Sequence, residues 1–262
     1  MPRLHSYVVR YDSGFAPNPF YDYCTLATCK PDIRKAAEVG DWVVGTGSDE
    51  RRIRRGGHLV YAMRVTGILK FQDYDADPRF AKKKPYRNGS RKQSCGDNIY
   101  FRNDTDDAWL QRDSFHTTDA GNSSFRHIAR DTGVNRILFS DHFVYYGGYG
   151  PRVPADLTDA RGRGLCKAGI GRNVFDDQAL IAGFEAWFGS LGETGYRNAP
   201  YEWRQLRGGI SYRRRARLAS AQRVRRPDRW HGYTREGRPR ASPIGSLRRG
   251  WWNYVGGQEA RP

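Results

Sequence analysis

The sequence contains little cysteine. Its four thiols, Cys24, Cys29, Cys95 and Cys166, are spread over 262 residues and include no CxxC pair. Such a set is too sparse for a disulfide scaffold. We therefore expect reduced thiols in a cytoplasmic protein.

Long apolar runs are also missing. No segment approaches the roughly 20 consecutive apolar residues that a membrane-spanning helix needs, and the opening MPRLHSYVVRYDSG has no apolar run followed by a small-residue cleavage site. We expect a soluble, intracellular chain with no membrane partner. Apolar residues still make up 38% and aromatic residues 13% of the sequence, which is enough to build a packed core.

Familiar cofactor and metal motifs are absent from the sequence. The glycine strings GTGS, GGYG, RGRG and GIG match neither GxGxxG nor a Walker pattern, so neither dinucleotide nor ATP binding is indicated. The six histidines never pair at i, i+4, no HExxH motif occurs, and NDTDD at 103–107 lacks the glycine and the bidentate glutamate of a calcium loop. We therefore expect no cofactor and no structural metal.

Negative charge is scarce in the last quarter of the chain. Residues 1–200 hold 29 basic and 24 acidic side chains, whereas residues 201–262 hold 16 basic and 4 acidic ones. This excess favours a polyanionic partner such as DNA, because each cation that neutralises a phosphate releases condensed counterions. The arginine-, glycine- and proline-rich composition of residues 204–262 predicts a disordered tail. A drifted terminus without a function is the alternative.

Strand and helix signals are concentrated in the first 200 residues. The segments HSYVVRY, GDWVVGTG, HLVYAMRVTGIL, RILFS and HFVYYG predict strands, and residues 99–102 and 109–111 predict shorter ones. KPDIRKAAEVG predicts a short helix, and residues 176–191 predict an amphipathic helix. The polar residues 71–124 predict an irregular surface insert.

This order of elements predicts an α+β fold. Two convincing helices without regular βα alternation argue against a parallel doubly wound sheet, and no fixed-period repeat indicates a solenoid or a propeller. We expect a small mixed β-barrel with two main helices and a long polar insert in residues 1–203, followed by the disordered basic tail in residues 204–262.

Several strings in the first half of the chain resemble those of a known family. They are FAPNPF at 15–20, YCTLATCKP at 23–31, GDWVVGTGS at 40–48, GHLVYAMRVT at 57–66, DPRF at 77–80, KKP at 83–85 and GDNIY at 96–100. Through them, about residues 5–200 resemble the nucleotide-modification-associated domain 2 family of bacterial and phage proteins. The resemblance implies a protein encoded beside enzymes that modify DNA bases, with those enzymes as partners.

A second likeness concerns the architecture. A helix, a Gly-Asp strand start, the run VYAMRVTGIL and the segment FQDYDAD follow one another as in the PUA, ASCH and EVE barrels, which hold a flipped or free modified base. Recognition of such a base needs aromatic or apolar walls and hydrogen-bonding groups for its edge. We therefore expect a slot for one base between loop 15–31 and the strand that begins at Gly40.

Residues of these strings are the candidate ligand contacts. The expected walls are Phe20, Tyr23, Trp42, Tyr61 and Tyr100, the expected polar contacts are Asn18, Thr25, Thr46, Ser48, Asp97 and Asn98, and Cys29, Lys30 and His58 complete the set. Lys30 lies at a loop-to-helix junction, where exposed backbone N–H groups favour an anion. Ordinary core packing is the alternative for each aromatic side chain.

Further basic side chains are candidates for contacts with a nucleic-acid backbone. They are Lys82, Lys83, Lys84 and Arg87 in the polar insert and Arg213, Arg214 and Arg215 in the tail. Each would neutralise a phosphate group. A solvated loop is the alternative for the insert.

Three functions remain open from the sequence. The first is a module that recognises a modified base or nucleotide in DNA without chemistry of its own. The second is an enzyme of nucleotide modification, in which Cys24 or Cys29 acts with His58 or His142, or the region around Asp97 supplies acid–base chemistry. The third is a non-specific DNA-binding protein that uses its basic tail. Small buried thiols are the alternative for both cysteines.

Overall fold

The computed structural model describes residues 1–204 except 51, 52, 103, 104, 106, 168 and 170. Among these residues, no helix has both the length and the apolar character needed to cross a membrane. Residues 205–262, which include the candidates Arg213, Arg214 and Arg215, lie outside the described residues.

Strands of the described region form three sheets. In chain order they are β1 Leu4–Val9, β2 Cys24–Leu26, β3 Trp42–Gly47, β4 Leu59–Arg64, β5 Gly67–Leu69, β6 Tyr100–Arg102, β7 Trp109–Gln111, β8 Ile137–Ser140, β9 Phe143–Tyr145, β10 Arg172–Phe175 and β11 Gly195–Tyr196. The largest sheet has the order β10-β1-β3-β4-β9-β11, the second has the order β2-β8-β5, and the third pairs β6 with β7.

Helices connect and cover these sheets. They are α1 Pro31–Ala36, α2 Phe71–Ala76, α3 Arg91–Ser94, α4 Phe125–Thr132, α5 Gln178–Ser190 and α6 Tyr201–Arg204, with 3-10 turns at Pro78–Lys83 and Gly147–Tyr149. Pro31 begins α1 at the first helical position, where its missing N–H costs nothing. The Asp177 side chain caps α5 by accepting hydrogen bonds from the N–H groups of Ala179 and Leu180.

The large sheet is mixed and open. β1 runs parallel to β3, with Leu4 opposite Trp42, and β9 runs parallel to β11, whereas the other neighbours are antiparallel. Its two edges are different strands, β10 and β11, and they do not pair in the described part of the chain. The mixed class of α and β structure is therefore confirmed, but the expected closed barrel is not formed.

The predicted strand HLVYAMRVTGIL divides into two strands that belong to different sheets. β4 ends at Arg64, and the backbone N–H groups of Val65 and Thr66 bond to Asp41 and Phe139. The chain then enters β5, which pairs with β8 in the second sheet. One continuous apolar run thus contributes strands to two sheets. The sequence pattern did not predict this division, because hydrophobicity alone does not specify the partner strand.

The two faces of the large sheet bury different cores. Alternating residues point to opposite faces, so Val44 packs toward α5 with Phe184, and Val43 packs toward α1 with Ile33. The face toward α1 is the one that carries the candidate site.

The polar insert is more ordered than predicted. α2, the first 3-10 turn, α3, α4 and the hairpin of β6 and β7 occupy it or its border. Phe71, Tyr74, Phe80 and Tyr100 bury their rings in a third cluster against Phe139 of β8. Phe71 and Tyr74 have helical spacing in the short α2, but Phe80 and Tyr100 continue no periodic pattern with them, so the sequence pattern did not reveal the shared core.

Candidate active site

Three residues from separate parts of the sequence, Cys29, His116 and Asp131, are in contact with one another. The Sγ atom of Cys29 lies 3.3 Å from Nε2 of His116, and Nδ1 of His116 lies 2.8 Å from Oδ2 of Asp131. A thiol beside an imidazole, which is oriented in turn by a carboxylate, is the arrangement of a nucleophile, its base and an orienting group.

Cys29 occupies a strained turn between β2 and α1. It and Lys30 both have positive φ angles, 59° and 42°, a conformation that costs a residue with a side chain about 1–3 kcal/mol. Hydrogen bonds hold the turn on both sides of Cys29. Its N–H group donates to Oδ1 of Asp131 over 3.1 Å, and its carbonyl accepts from Nε of Arg34 over 3.0 Å.

His116 lies in the turn that follows β7. Its ring meets Phe15 edge-on at a centroid distance of 4.8 Å and lies tilted against His127 at 4.2 Å. Its backbone N–H donates to Oγ of Ser114. These contacts fix the orientation of a ring that is 7% exposed, which is what a positioned acid–base group requires.

Asp131 lies near the end of α4 and is fully buried. Besides His116 and the Cys29 N–H, it accepts hydrogen bonds from the hydroxyl of Tyr100 over 2.9 Å and from Nε of Arg130 over 3.1 Å. Burial raises the pKa of Asp131, but the hydrogen bond and charge of His116 and the charge of Arg130 outweigh it and hold the pKa well below its usual range. The carboxylate therefore stays ionised.

The electrostatics favour a thiolate next to an imidazolium. Burial acts to raise the pKa of the Cys29 thiol, but the hydrogen bond and charge of His116 more than compensate, so this pKa is lowered. Burial acts to lower the pKa of His116, but its hydrogen bonds to Asp131 and Cys29 raise it to about 9. A thiolate is the reactive form of cysteine.

Arg34 joins the nucleophile to the helix that carries Asp131. Its buried guanidinium, on α1, also donates to the backbone carbonyls of Asp131, Val134 and Arg136 over 2.7, 2.6 and 2.7 Å. The same guanidinium also binds the Cys29 carbonyl. It therefore fixes the position of Cys29 relative to Asp131.

His116, His127 and Asp131 also offer ligand atoms that lie within 4.8 Å of one another, as a metal ion would require. The guanidinium of Arg130 stands among them: Nη2 lies 3.2 Å from Nδ1 of His127 and Nε donates to Asp131. A fixed positive charge opposes a divalent cation at this position. The cluster therefore fits acid–base chemistry better than metal binding.

The triad lies within a segment that matches a known family. The family described as nucleotide modification associated domain 2 matches residues 1–207. The chain belongs to this family. No curated protein and no solved structure matches the chain. Membership confirms the resemblance seen in the sequence strings and associates the domain with nucleotide modification. Cys29, His116 and Asp131 all fall inside the matched residues.

The domain brings together several of the predicted polar contacts, but it buries them. Oδ2 of Asp97 accepts a hydrogen bond from Thr25 over 2.6 Å. Nζ of Lys83 donates to the backbone and side-chain oxygens of Asn18 over 3.0 and 2.8 Å and to the carbonyl of Tyr23 over 2.8 Å. The prediction that Lys83 contacts a nucleic-acid backbone is wrong, because its ammonium is buried and fully bonded inside the domain.

The three aromatic walls of the expected slot lie in different places. Phe20 stacks on Trp203 at a centroid distance of 5.5 Å, Tyr23 meets Phe80 edge-on at 5.2 Å, and Trp42 belongs to the core under α5. The rings therefore do not enclose one shared slot in the described part of the chain.

The remaining predicted residues are distributed over the domain. Three of them form hydrogen bonds within the domain: Tyr61 to Tyr7, Asn98 to the carbonyl of Tyr74, and Ser48 to the N–H of Glu50. Two of the basic candidates bind protein groups, Lys84 the carboxylate of Asp75 and Arg87 the carbonyl of Ser94. Thr46 is buried in β3, and Lys82 is exposed. Cys29, Lys30 and Tyr100 are the predicted residues that lie at the triad.

The predicted partners of the cysteines are wrong. His58 bonds to the carbonyl of Gly56, His142 packs against Trp42, and burial raises the pKa of Cys24 to about 12. The partner of Cys29 is His116, 87 positions along the chain.

His116 and Asp131 were missed because no local motif marks them. One weak signal existed: the segment FRHIARDT places His127, Ile128 and Asp131 on one face of a helix, α4. Its polar composition concealed this helix.

A separate groove of about 360 Å³ lies on the surface of the domain. Its lining includes Phe20, Tyr21, Phe143, Tyr196 and Lys92. The ammonium of Lys92 lies 4.7 Å from the ring centroid of Tyr196. Cys29 is not among the lining residues, so the groove and the triad are distinct features.

Proposed function

We propose that this domain is an enzyme of nucleotide modification whose nucleophile is Cys29. His116 acts as its general base and acid, and Asp131 holds the imidazole in position. The observation that carries the proposal is the 3.3 Å contact between Cys29 Sγ and His116 Nε2, with Asp131 2.8 Å from the opposite ring nitrogen.

The reaction class that suits this geometry is transfer or hydrolysis of an acyl group. The thiolate attacks a carbonyl carbon, and the tetrahedral intermediate expels an amine or alkoxide, which takes the proton from Nε2 of His116. Water then attacks the thioester and gives a proton to His116 as the thiolate leaves. The sum is R–CO–X plus water to R–COOH plus HX, with X on the nucleotide or on its modifying group.

Arg130 is the group we assign to the developing oxyanion. The N–H of Cys29 already donates to Asp131, so it is not free for this role. Nη2 of Arg130 lies 3.9 Å from Sγ, and its positive charge favours the negative oxygen that forms on the adjacent carbon.

Recognition of a modified base in DNA, in a bacterial or phage modification system, is the competing proposal. The observation in its favour is the groove lined by Phe20, Tyr21 and Tyr196, since aromatic walls suit a stacked base. Under this proposal DNA is the partner and Cys29→Ala leaves binding unchanged. A third proposal, non-specific DNA binding, depends on the basic tail alone.

Thiol reactivity tests the enzyme proposal directly. Iodoacetamide should modify Cys29 readily at pH 7, whereas Cys166, whose pKa burial raises to about 11, serves as an internal control of slow reaction. In His116→Ala, the Cys29 pKa should rise, because burial then acts without the imidazolium, and alkylation at pH 7 should slow at least about tenfold. Peptide mass mapping measures both sites in the same sample.

Nucleoside mass analysis then tests turnover. Modified DNA and nucleotides incubated with the protein should show a mass change that Cys29→Ala abolishes. Equal reactivity of Cys29 and Cys166 would contradict the triad. Protection of Cys29 that a chelator removes would also contradict it, and would indicate a metal centre instead.

A further inference from the structure

Two cationic side chains near the triad are available to a ligand. Lys30 follows Cys29 in the chain and is attracted by its thiolate. Arg126 lies one turn before Arg130 on the same face of α4, and Nη2 of Arg130 is 3.9 Å from Sγ of Cys29. Neither makes a hydrogen bond or an ion pair within the part of the chain that the structure describes.

The ammonium of Lys30 is held close to the protein surface. Nζ lies 4.5 Å from the ring centroid of Tyr7, a cation–π contact, and the side chain is half-buried. Partial burial removes some of the water around this ammonium, and no carboxylate replaces the lost hydrogen bonds. An anion that arrives with the substrate would supply the missing interaction.

The other cations at the triad already have partners. Arg34 donates to four backbone carbonyl groups, and Arg130 donates to Asp131. Lys30 and Arg126 are therefore the two that remain for a ligand.

We propose that Lys30 and Arg126 bind a phosphate group of the substrate, so that the Cys29 site takes a phosphorylated nucleotide, free or within a strand, rather than a base or a nucleoside. The inference rests on the proposed function, because it places the phosphate beside the reacting thiol. Phosphate oxygens accept charge-assisted hydrogen bonds from both ammonium and guanidinium groups.

A pair of alkylating reagents probes the charge without a known substrate. Iodoacetate and iodoacetamide attack the same thiolate, but only iodoacetate is an anion. Lys30→Gln and Arg126→Gln should each lower the ratio of the iodoacetate rate to the iodoacetamide rate about threefold, as expected for a single partly exposed charge. Arg161→Gln, an exposed arginine in another loop, should leave the ratio unchanged.

Protection experiments identify the phosphate. Inorganic phosphate and thymidine monophosphate should slow iodoacetamide modification of Cys29 at concentrations where thymidine does not. The protecting concentration should rise about tenfold in Lys30→Gln and Arg126→Gln, the loss expected for one charged hydrogen bond, and stay constant in Arg161→Gln. Protection by a thymidine oligonucleotide alone would assign the phosphate to a strand.

Three outcomes would overturn the phosphate site: equal protection by thymidine and its monophosphate, no protection by any of the four compounds, or protection that both variants retain. Calorimetric binding of thymidine monophosphate to the Cys29→Ala protein keeps the two proposals apart, because it needs no reactive thiol. If phosphate binding depends on Lys30 but Cys29 is unreactive, the triad is rejected and the phosphate site is retained. A reactive Cys29 without phosphate binding would reject the phosphate site alone.

Discussion

Lys83 places a positive charge entirely inside the protein. Its ammonium makes three hydrogen bonds to the loop that contains Asn18 and Tyr23. Burial lowers its pKa to about 8, although Asp97 opposes the shift. A buried charge whose hydrogen bonds are all made specifies one conformation of the loop, because any other conformation leaves the charge unpaired.

Lys83→Met should lower the free energy of unfolding by about 3–5 kcal/mol, because it leaves Asp97 and three oxygen acceptors without their cation. Lys82→Met changes the exposed neighbour and should stay within about 0.5 kcal/mol. Urea denaturation of both variants measures the difference. Equal stability of the two would contradict the structural role of Lys83.

Asp12 is a buried carboxyl that anchors α6. It accepts hydrogen bonds from the Tyr145 hydroxyl and, over 2.8 Å, from the N–H of Tyr201. Burial raises its pKa from 3.8 to about 6, against the effect of these hydrogen bonds. Between these values the folded chain holds a proton that the unfolded chain releases, so the free energy of unfolding falls as pH rises.

Asp12→Asn should remove this pH dependence. Stability of the wild-type protein relative to Asp12→Asn should fall by about 2.5 kcal/mol between pH 4 and pH 7, which is most of the effect of a shift of about two pKa units. Denaturation of both proteins at several pH values gives the difference, in which the other titrating groups cancel. A difference that does not change with pH would show that Asp12 has an ordinary pKa when folded.

Among the elements, α1 and α4 act as one unit through Arg34. α1 has six residues, which is too short for independent stability. Its guanidinium contacts with the Cys29 carbonyl and with the backbone at the end of α4 fix the distance between the nucleophile and Asp131.

Arg34→Met should therefore affect both stability and reactivity. We expect a loss of about 3 kcal/mol or more, since four carbonyl groups lose a charged donor, together with slower alkylation of Cys29 at pH 7. Lys35→Met, the exposed neighbour on α1, should change neither property. An Arg34→Met protein that is destabilised but has unchanged Cys29 reactivity would confine Arg34 to a structural role.

At the scale of the whole molecule, the described contacts of the triad lie within residues 1–204, whereas most of the net positive charge follows residue 200. We propose that the two parts contribute separately, the first through chemistry and the second through non-specific attraction to DNA.

Removal of residues 205–262 should test this division. The rate of Cys29 alkylation should be unchanged, and DNA affinity should fall, with a shallower dependence of log K on log salt because fewer phosphates are neutralised. Fluorescence anisotropy over a range of salt concentrations measures both. An unchanged salt slope would exclude the tail as the source of DNA affinity.

Several elements followed from local patterns alone. The strands near HSYVVRY, GDWVVGTG and RILFS, helix α1 and helix α5 were predicted from periodicity, proline placement and capping. The break after β4, helix α4 and the core of the polar insert were not, because each depends on partners far along the chain.

The sequence by itself determined the family, the mixed class of the fold, most strands and the asymmetry of charge, since composition and short-range periodicity carry that information. Only the tertiary structure decided which histidine serves Cys29, that Asp131 joins them, and that Lys83 is inside. The reason is physical: hydrogen bonds across 87 and 102 positions of the chain depend on how elements pack, and no local spacing encodes that packing.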